Sequence, residues 1–450
     1  MAVTSPIADI GAADAPARGS FITPGYVAGF VLVTSLFFLW AIANNFNDIL
    51  IRQFQKALDL NRAQAGFIQF VFYLGYFTMA LPAGLLMRRF GYRAGILAGL
   101  GLYAAGALLF YPAAELRHYA VFLAALFVIA SGAAFLETAA NPYIVAFGDP
   151  SRASQRLNFA QAFNGFGGFM APIIGGHFIF SGIEHSKAQL AAMAPAQLEA
   201  YRLAEARMVQ LPYLVLAGVV ILVAVAVAIV RLPDVRATEG AAAGPEQRAS
   251  LWQVLRIPCL TGAVIAQFFY VGAQVGIWSF FVDFVKELVP ATPEKTAAYL
   301  LSVSLILFMS GRFIGTLLMQ KIPATRLLLV FALANIALTA AAALTHGWVA
   351  VGALALTSFF MSIMFPTIFS LRVKDLGDKA MLGAPLIIMA IIGGAVFPPL
   401  MGLISQMAGT IQVAIALPCA CFVAVAVYAM RCIRTARGEA AIGLAASPLH

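Results

Sequence analysis

Charge is what this chain has least of. Asp, Glu, Lys and Arg make up 10% of its residues, where an ordinary soluble domain carries about 25%. Too few polar side chains remain to clothe a water-facing surface, so a soluble globular domain is excluded. Histidine is scarce as well, with five residues in all. No HExxH, no GxSxG and no metal-spaced His/Cys set occurs, which argues against a membrane-embedded enzyme. The four cysteines (Cys259, Cys419, Cys421 and Cys432) form no CxxC and sit in or beside apolar runs, where they read as small packing residues. The first 25 residues lack the basic start and short apolar core of a cleavable signal peptide. The first long apolar run is therefore expected to serve as an uncleaved signal. Alternating segments of ~10 residues, the mark of a membrane β-barrel, are missing too.

What is present is apolar length. Hydrophobic residues are 62% of the chain and the mean hydropathy is +0.91. Runs free of charge mostly reach 18–29 residues, enough to cross the ~30 Å hydrocarbon core as helix. They predict an all-α integral membrane protein with twelve transmembrane helices, at roughly 26–50, 63–88, 94–113, 119–147, 156–182, 209–231, 257–285, 296–320, 326–345, 347–371, 381–405 and 411–431. The uncharged run from Ala380 to Met430 is divided by the turn chemistry of Ser405-Gln406-Met407-Ala408-Gly409-Thr410. The longest inner connection, Leu232 to Arg256, contains the linker-like Ala237-Thr238-Glu239-Gly240-Ala241-Ala242-Ala243-Gly244-Pro245. The expected organisation is an N-terminal tail (1–25), a six-helix bundle (26–231), a linker (232–256), a second six-helix bundle (257–434) and a C-terminal tail (435–450). The outer segment from Gly182 to Met208 has the Ala/Gln/Glu/Arg content of a short surface helix.

The basic residues orient the chain. With both termini inside, the inner loops and tails carry 18 of the 28 Lys and Arg, the outer loops carry 9, and Arg312 lies within a span. This is the positive-inside bias. It predicts a multi-pass plasma-membrane protein, in a bacterial inner membrane, with both termini cytoplasmic. It also explains the net charge of +9 as topology rather than as a nucleic-acid-binding surface.

The halves repeat weakly. Asn164, Gly167, Gly168, Pro172 and Gly176 match Ala390, Gly393, Gly394, Pro398 and Gly402 at a constant offset of 226. Asn141-Pro142 matches Phe365-Pro366 at 224, and Phe37-Phe38 matches Phe268-Phe269 at 231. Parallel halves with a site between them near the midplane are a transporter architecture.

One carboxylate lies deep in oil. Glu137 falls in the run Ser131-Gly132-Ala133-Ala134-Phe135-Leu136-Glu137-Thr138-Ala139-Ala140-Asn141-Pro142, with no other charge from Tyr119 to Gly148. At 1.5 Å per residue it is about 16 Å from the inner end of its helix, too deep to snorkel easily. A charge at mid-membrane costs ~2.5–3.5 kcal/mol on insertion scales, so an intramembrane acid is by default functional. Residues three and four apart share a helix face. Asn44 and Asn45 therefore line up with Asp48, Glu137 with Asn141, and Gln161 with Asn164. Three helices could present amides and carboxylates to one cavity. Sugars require that set, since every hydroxyl is both donor and acceptor, with an aromatic platform for the apolar ring face. Trp40, Tyr73, Phe163, Phe269, Tyr270 and Trp278 are candidate platforms. Gln267, Gln274, Trp278 and Arg312 are the main polar candidates of the second half.

Plainer readings stand beside these. Asp48 could pair with Arg52 one turn on, at an outer helix end, or a longer helix toward Lys56 could keep it in the cavity. Glu137 could be an interhelical hydrogen-bonder. Asn141-Pro142 reads as a kink device, His177 as structural, Asp283 as solvated, and Arg312 as either a ligand or a helix-bridging group. Should Glu137 and Asp48 line a partly dry cavity, a carboxyl that takes up and releases a proton near neutral pH couples transport to the proton gradient, whose electrical part supplies ~2.3 kcal/mol per charge per 100 mV.

At these residues the chain resembles the major facilitator superfamily, and within it the fucose/galactose/glucose–proton symporter branch, most strongly the bacterial L-fucose–proton symporters. The strings that carry the resemblance are Phe37-Phe38-Leu39-Trp40-Ala41-Ile42-Ala43-Asn44-Asn45-Phe46-Asn47-Asp48-Ile49-Leu50, Leu136-Glu137-Thr138-Ala139-Ala140-Asn141-Pro142, Ala160-Gln161-Ala162-Phe163-Asn164, Tyr270-Val271-Gly272-Ala273-Gln274 and Phe365-Pro366-Thr367-Ile368-Phe369-Ser370-Leu371. It covers about residues 30–430. It implies two pseudo-symmetric six-helix bundles working by alternating access, with no cofactor and no metal. It implies that Asp48 is tied to sugar and proton, Glu137 to proton coupling, and that Asn45, Gln161 and Asn164 are polar cavity residues. Gln274 and Trp278 complete the expected substrate contacts. The implied partners are a monosaccharide, protons and the lipid bilayer, for a chain that works as a monomer. Glucose/galactose members tend to carry Gln where Glu137 stands, which favours the fucose type. A glucose/galactose or N-acetylhexosamine carrier, or one coupled to sodium, is the alternative, and a non-transporting membrane sugar sensor the remote one. Two departures are visible. Arg88 stands where the loop motif after the second helix usually has Asp, a lack the branch shares. Met364-Phe365 replaces the Gln-Tyr that fucose symporters tend to show before the helix-ten proline, which can shift sugar preference.

Overall fold

The computed structural model describes residues 20–23, 25–58, 62–178, 187–230, 251–376 and 379–445; the side chains of some helical residues, Asn47, Asp48 and His177 among them, lie outside that description. Every regular element among the described residues is helical. The spans are α1 (Val27–Leu58), α2 (Arg62–Phe90), α3 (Tyr92–Leu116), α4 (Tyr119–Ala146), α5 (Ala153–Phe178) and α6 (Gln210–Ile229). They continue as α7 (Pro258–Leu288), α8 (Glu294–Leu318) and α9 (Ala324–Leu344). The last three are composite: α10 (Gly347–Met361 and Met364–Val373), α11 (Ala380–Met389 and Gly393–Ala408, joined by a 3₁₀ turn at Ala390–Ile392) and α12 (Ile411–Ala414 and Ala416–Ala445). Eleven stretches are long and apolar enough to cross a membrane among the described residues. The remaining expected span is α5, 26 residues long, whose Arg156, Asn158, Gln161 and Asn164 lower its hydropathy.

Several elements differ from expectation for physical reasons. α1 continues past residue 50 to Leu58, because the segment between α5 and α6 gives its far end a partner. That segment forms two short helices, Lys187–Ala192 and Pro195–Arg207. Buried Gln53 of α1 donates from Nε2 to the Glu205 carboxylate at 2.7 Å, and Arg207 pairs with Glu115 at 2.7 Å. α10 breaks at Ser362–Ile363 because Pro366 lacks an N–H for the Ser362 carbonyl four residues back. α12 runs beyond residue 434 to Ala445. Arg156, counted above as a loop cation, is fully buried. Its guanidinium donates to the carbonyls of Ile144, Val145, Gly148 and Asp149, satisfying the end of α4. Asp283 is exposed, as expected.

Within each half, small residues bring helices close, as they do where apolar lipid gives no hydrophobic drive to association. A Cβ on Gly167 of α5 would lie 2.6 Å from the Phe38 carbonyl oxygen of α1; one on Gly393 of α11 would lie 2.2 Å from that of Phe268 on α7. Gly167 and Gly393 are the pair offset by 226, so the repeat reflects equivalent helix crossings. The carbonyls they meet are offset by 230, one residue short of the register read from Phe37-Phe38 and Phe268-Phe269. α1 packs on α5, α3 on α4 and α6, and α2 on α4; α9 packs on α12, α7 on α11 and α12, and α8 on α10. The two groups meet where α5 touches α8 and α10, and where α2 touches α11.

Candidate functional site

A cavity of about 500 Å³ opens between the two groups of helices, within the ~300–1,000 Å³ of small-molecule sites. Its walls are chemically unequal. The first half contributes Asn44 and Asn45 from α1, Gln69, Tyr73 and Tyr76 from α2, Glu137 from α4, and Gln161 and Asn164 from α5. The second half is mostly apolar or aromatic, with Val271, Val275, Trp278, Leu305, Phe308, Phe365 and Ile391, relieved by Gln274, Ser279 and Arg312. Asn45, Glu137, Gln161, Asn164, Gln274 and Trp278 thus line one space. Asp48 belongs to the same helix as Asn44 and Asn45, but its side chain lies outside the described residues. Of the candidate platforms, Trp40, Tyr73 and Trp278 line the cavity; Phe163, Phe269 and Tyr270 are not among its lining residues.

The amides of the first half are already oriented. Asn44 Nδ2 donates to the Tyr76 hydroxyl oxygen at 2.9 Å, which leaves the Tyr76 proton free for another acceptor. Tyr76 of α2 and Arg312 of α8 line the same cavity as Glu137, and Asn141 lies one turn further along α4, so groups of both halves surround the carboxyl. Gln161 Nε2 donates to Asn141 Oδ1 at 3.1 Å, tying α5 to α4 one turn from Glu137. Asn164 Nδ2 donates to the Phe37 carbonyl at 3.3 Å, and Asn45 Nδ2 to that of Ala41 at 2.7 Å. Both residues line the cavity, where an amide oxygen can accept from a hydroxyl. Tyr76 was not anticipated. Its signal was the stripe Gln69, Tyr73, Tyr76 on one face of α2, which reads equally as packing.

Arg312 resolves from the two readings left open into a bridge that also lines the cavity. It is almost fully buried. Its Nε donates to the Ser362 carbonyl at 2.8 Å, the acceptor freed by Pro366. Its Nη1 donates to the Gln161 carbonyl at 2.5 Å and to Gln161 Oε1 at 3.3 Å, across the divide between the halves. The guanidinium carbon stands 4.5 Å from the centre of the Phe308 ring, a cation–π contact. Trp278 is pinned by its Nε1–H to Ser358 Oγ at 3.0 Å, and Ser358 is held by Ser304 at 2.6 Å, so the indole presents a fixed face.

The cavity is shut at one end. On the side of the α4–α5 and α10–α11 connections, Ser370 Oγ donates to Ser154 Oγ at 2.7 Å and Asn158 Nδ2 to Thr367 Oγ1 at 3.1 Å, joining α5 to α10. Beside them Gly84 of α2 lies flush on α11: an added Cβ would be 2.3 Å from Pro385 Cγ and 2.7 Å from the Met381 carbonyl oxygen. Lining residues Gln69, Ser279 and Leu301 extend the cavity toward the opposite end.

Comparison with known proteins agrees with this architecture. The family model of the Major Facilitator Superfamily matches residues 22–384. The L-fucose-proton symporter of Escherichia coli is 43% identical over 406 residues, 90% of this chain and 93% of that protein. A glucose/galactose transporter of Brucella abortus is 38% identical over 405 residues, 89% of this chain and 94% of that protein. The solved structure of a major facilitator superfamily transporter, FucP, in the outward conformation superposes with a TM-score of 0.84 at 42% identity, covering 90% of this chain and 99% of that one. This chain belongs to the major facilitator superfamily, as a multi-pass membrane transporter.

Proposed function

We propose that the chain is a secondary active transporter that imports a monosaccharide, L-fucose first, together with protons by alternating access. The observation that carries the reading is Glu137: a nearly buried carboxyl that lines a cavity otherwise built of amides and aromatic rings. Its similarity to the L-fucose-proton symporter of Escherichia coli supports the choice of sugar. In this reading Asn45, Gln161, Asn164 and Gln274 meet sugar hydroxyls, Trp278 underlies the ring, and Asp48 serves both sugar and proton. Glu137 carries the proton, with Tyr76 and Arg312 sensing its charge. The shut end is the cytoplasmic one, by the positive-inside bias, so both termini are cytoplasmic and the cavity faces outward. The unit of function is the monomer in a bacterial inner membrane.

A second sugar reading has its own support. Phe365 and Met364 leave α10 without polar groups at the cavity, and a glucose/galactose transporter is a relative at 38% identity. Labelled sugars offered to proteoliposomes under an imposed pH or sodium gradient decide the matter, for wild type, Asp48→Asn and Glu137→Gln. L-fucose is expected to accumulate under a pH gradient, with external alkalinisation on its addition. Accumulation of glucose or galactose instead moves the substrate. Accumulation that follows sodium and not protons overturns the coupling.

A further inference from the structure

Between the cavity and its shut end, the second half buries a polar side chain that the transport site leaves unused. Gln267 of α7 is fully buried, and among the described residues neither its Oε1 nor its Nε2 has a hydrogen-bond partner. Each unpaired buried polar group costs ~1–3 kcal/mol, so a role outside the packing of this one conformation is called for. Its direction is fixed by the helix. Gln274, seven residues later, lines the cavity. Seven residues return an α-helix to nearly the same face about 10 Å along its axis. Gln267 therefore aims at the divide between the halves, about two turns deeper than Gln274.

The first half repeats the arrangement. Asn158 stands seven residues before Gly165 of α5, which lines the cavity, and is also fully buried. Its Nδ2 holds the shut end through Thr367, while its Oδ1 has no partner among the described residues. Two amides, one from each half, thus lie two turns toward the shut end from a cavity-lining residue of their own helix, each short of hydrogen bonds among the described residues.

The geometry points to a second sugar station on the release side of the floor, formed by Gln267 and Asn158, which binds the hydroxyls of the departing monosaccharide as the end opens. It rests on the sugar-transport reading above. An amide supplies one acceptor and one donor group to neighbouring hydroxyls. These two become satisfied only when the Ser154–Ser370 and Asn158–Thr367 contacts part and sugar or water enters. Their discomfort in the shut state lowers the cost of leaving it, and their satisfaction in the open state draws the sugar out of the cavity.

Gln267→Leu and Gln267→Asn, compared with wild type, test this. For Gln267→Leu, L-fucose affinity in the solubilised protein is expected to stay within about twofold of wild type. The thermal midpoint is expected to hold or rise, since an orphaned amide is gone from a dry site. Exchange of labelled L-fucose across proteoliposomes is expected to fall about tenfold, one lost hydrogen bond in a dry passage. Gln267→Asn should recover most of the exchange. Wild-type exchange by Gln267→Leu overturns the station, and so does affinity that falls in step with exchange, which would place Gln267 in the outer cavity. Should the leucine variant misfold, Gln267→Cys carries the test. N-ethylmaleimide, read on the peptide containing residue 267, is expected to label it faster during sugar exchange than in sugar-free protein. Equal labelling in both states, or none in either, overturns the proposal. Wild-type protein that exchanges no sugar is the separate failure of the transport reading.

Discussion

Glu137 sits between groups that belong to different helices and different halves, and that placement defines its expected behaviour. Glu137→Gln keeps the size and the hydrogen-bonding edge of the side chain but holds no titratable proton. Downhill exchange of sugar is expected to persist in this variant, while uphill accumulation under a pH gradient is lost; a counterflow assay beside an active-uptake assay separates the two. Uphill accumulation at the wild-type level would remove Glu137 from the coupling. Arg312 makes a sharper case. Its planar guanidinium reaches the Ser362 carbonyl and two oxygens of Gln161 at once. A lysine offers one compact charge on a flexible stem. Arg312→Lys is expected to cut transport about tenfold or more and to lower the thermal midpoint, because a buried acceptor is left without a donor. Transport and melting curves unchanged in Arg312→Lys would show that the bridge is dispensable.

At the scale of elements, the shut end depends on α5 against α10 and α2 against α11. The hydroxyl oxygens of Ser154 and Ser370 are 2.7 Å apart, which suits a disulfide between cysteines at those positions. Oxidised Ser154→Cys/Ser370→Cys protein is expected to bind sugar from the open side yet not to transport it, with activity returning on reduction. Transport that survives complete crosslinking would mean that this contact does not part in the cycle. Gly84 tests the neighbouring contact. Gly84→Val drives a branched side chain into Pro385 and the Met381 carbonyl, at ~1–3 kcal/mol for an overpacked site. The strain falls only on the shut state, so the variant is expected to favour opening at this end and to bind sugar more weakly from the other. Binding isotherms on oriented vesicles check this. Gly167 and Gly393, at the close crossings within each half, were visible in the sequence as members of a repeat; Gly84 and Pro385 were not. The break in α10 was not, although Pro366 was in plain view. A proline in a membrane helix either kinks it or frees a carbonyl for a partner, and the partner here comes from α8, far away in the chain.

For the whole molecule, coupling and orientation are one problem. With the shut end assigned to the cytoplasm, as proposed above, the open cavity favours loading from the outside, where protons are more concentrated in an energised bacterium. Reversing the imposed pH gradient in proteoliposomes is therefore expected to reverse net L-fucose movement, with the same pH dependence of exchange at zero gradient lost in Glu137→Gln. Net flux that ignores the sign of the gradient would refute proton coupling as a property of the protein. Contacts across the divide combine serine, threonine and asparagine pairs and Arg312 at the floor with the close packing of Gly84 on Pro385.

The sequence by itself determined that this is a helical membrane protein in two related halves, because hydrocarbon thickness and the price of charge in oil act on local composition. It also singled out Glu137 and the amides of α1 and α5, since polar residues in apolar runs are conspicuous wherever they fall. Only the tertiary structure decided which of these face one another. Tyr76 became part of the site through Asn44, and Arg312 became a bridge through Gln161 and a carbonyl freed by Pro366. Gln267 stood out as an amide without a partner, and Asn158 as one half paired, only once their neighbours were in place. Such relations join residues as far as 151 positions apart, and no pattern of spacing within one helix encodes a contact that depends on how two bundles are set against each other.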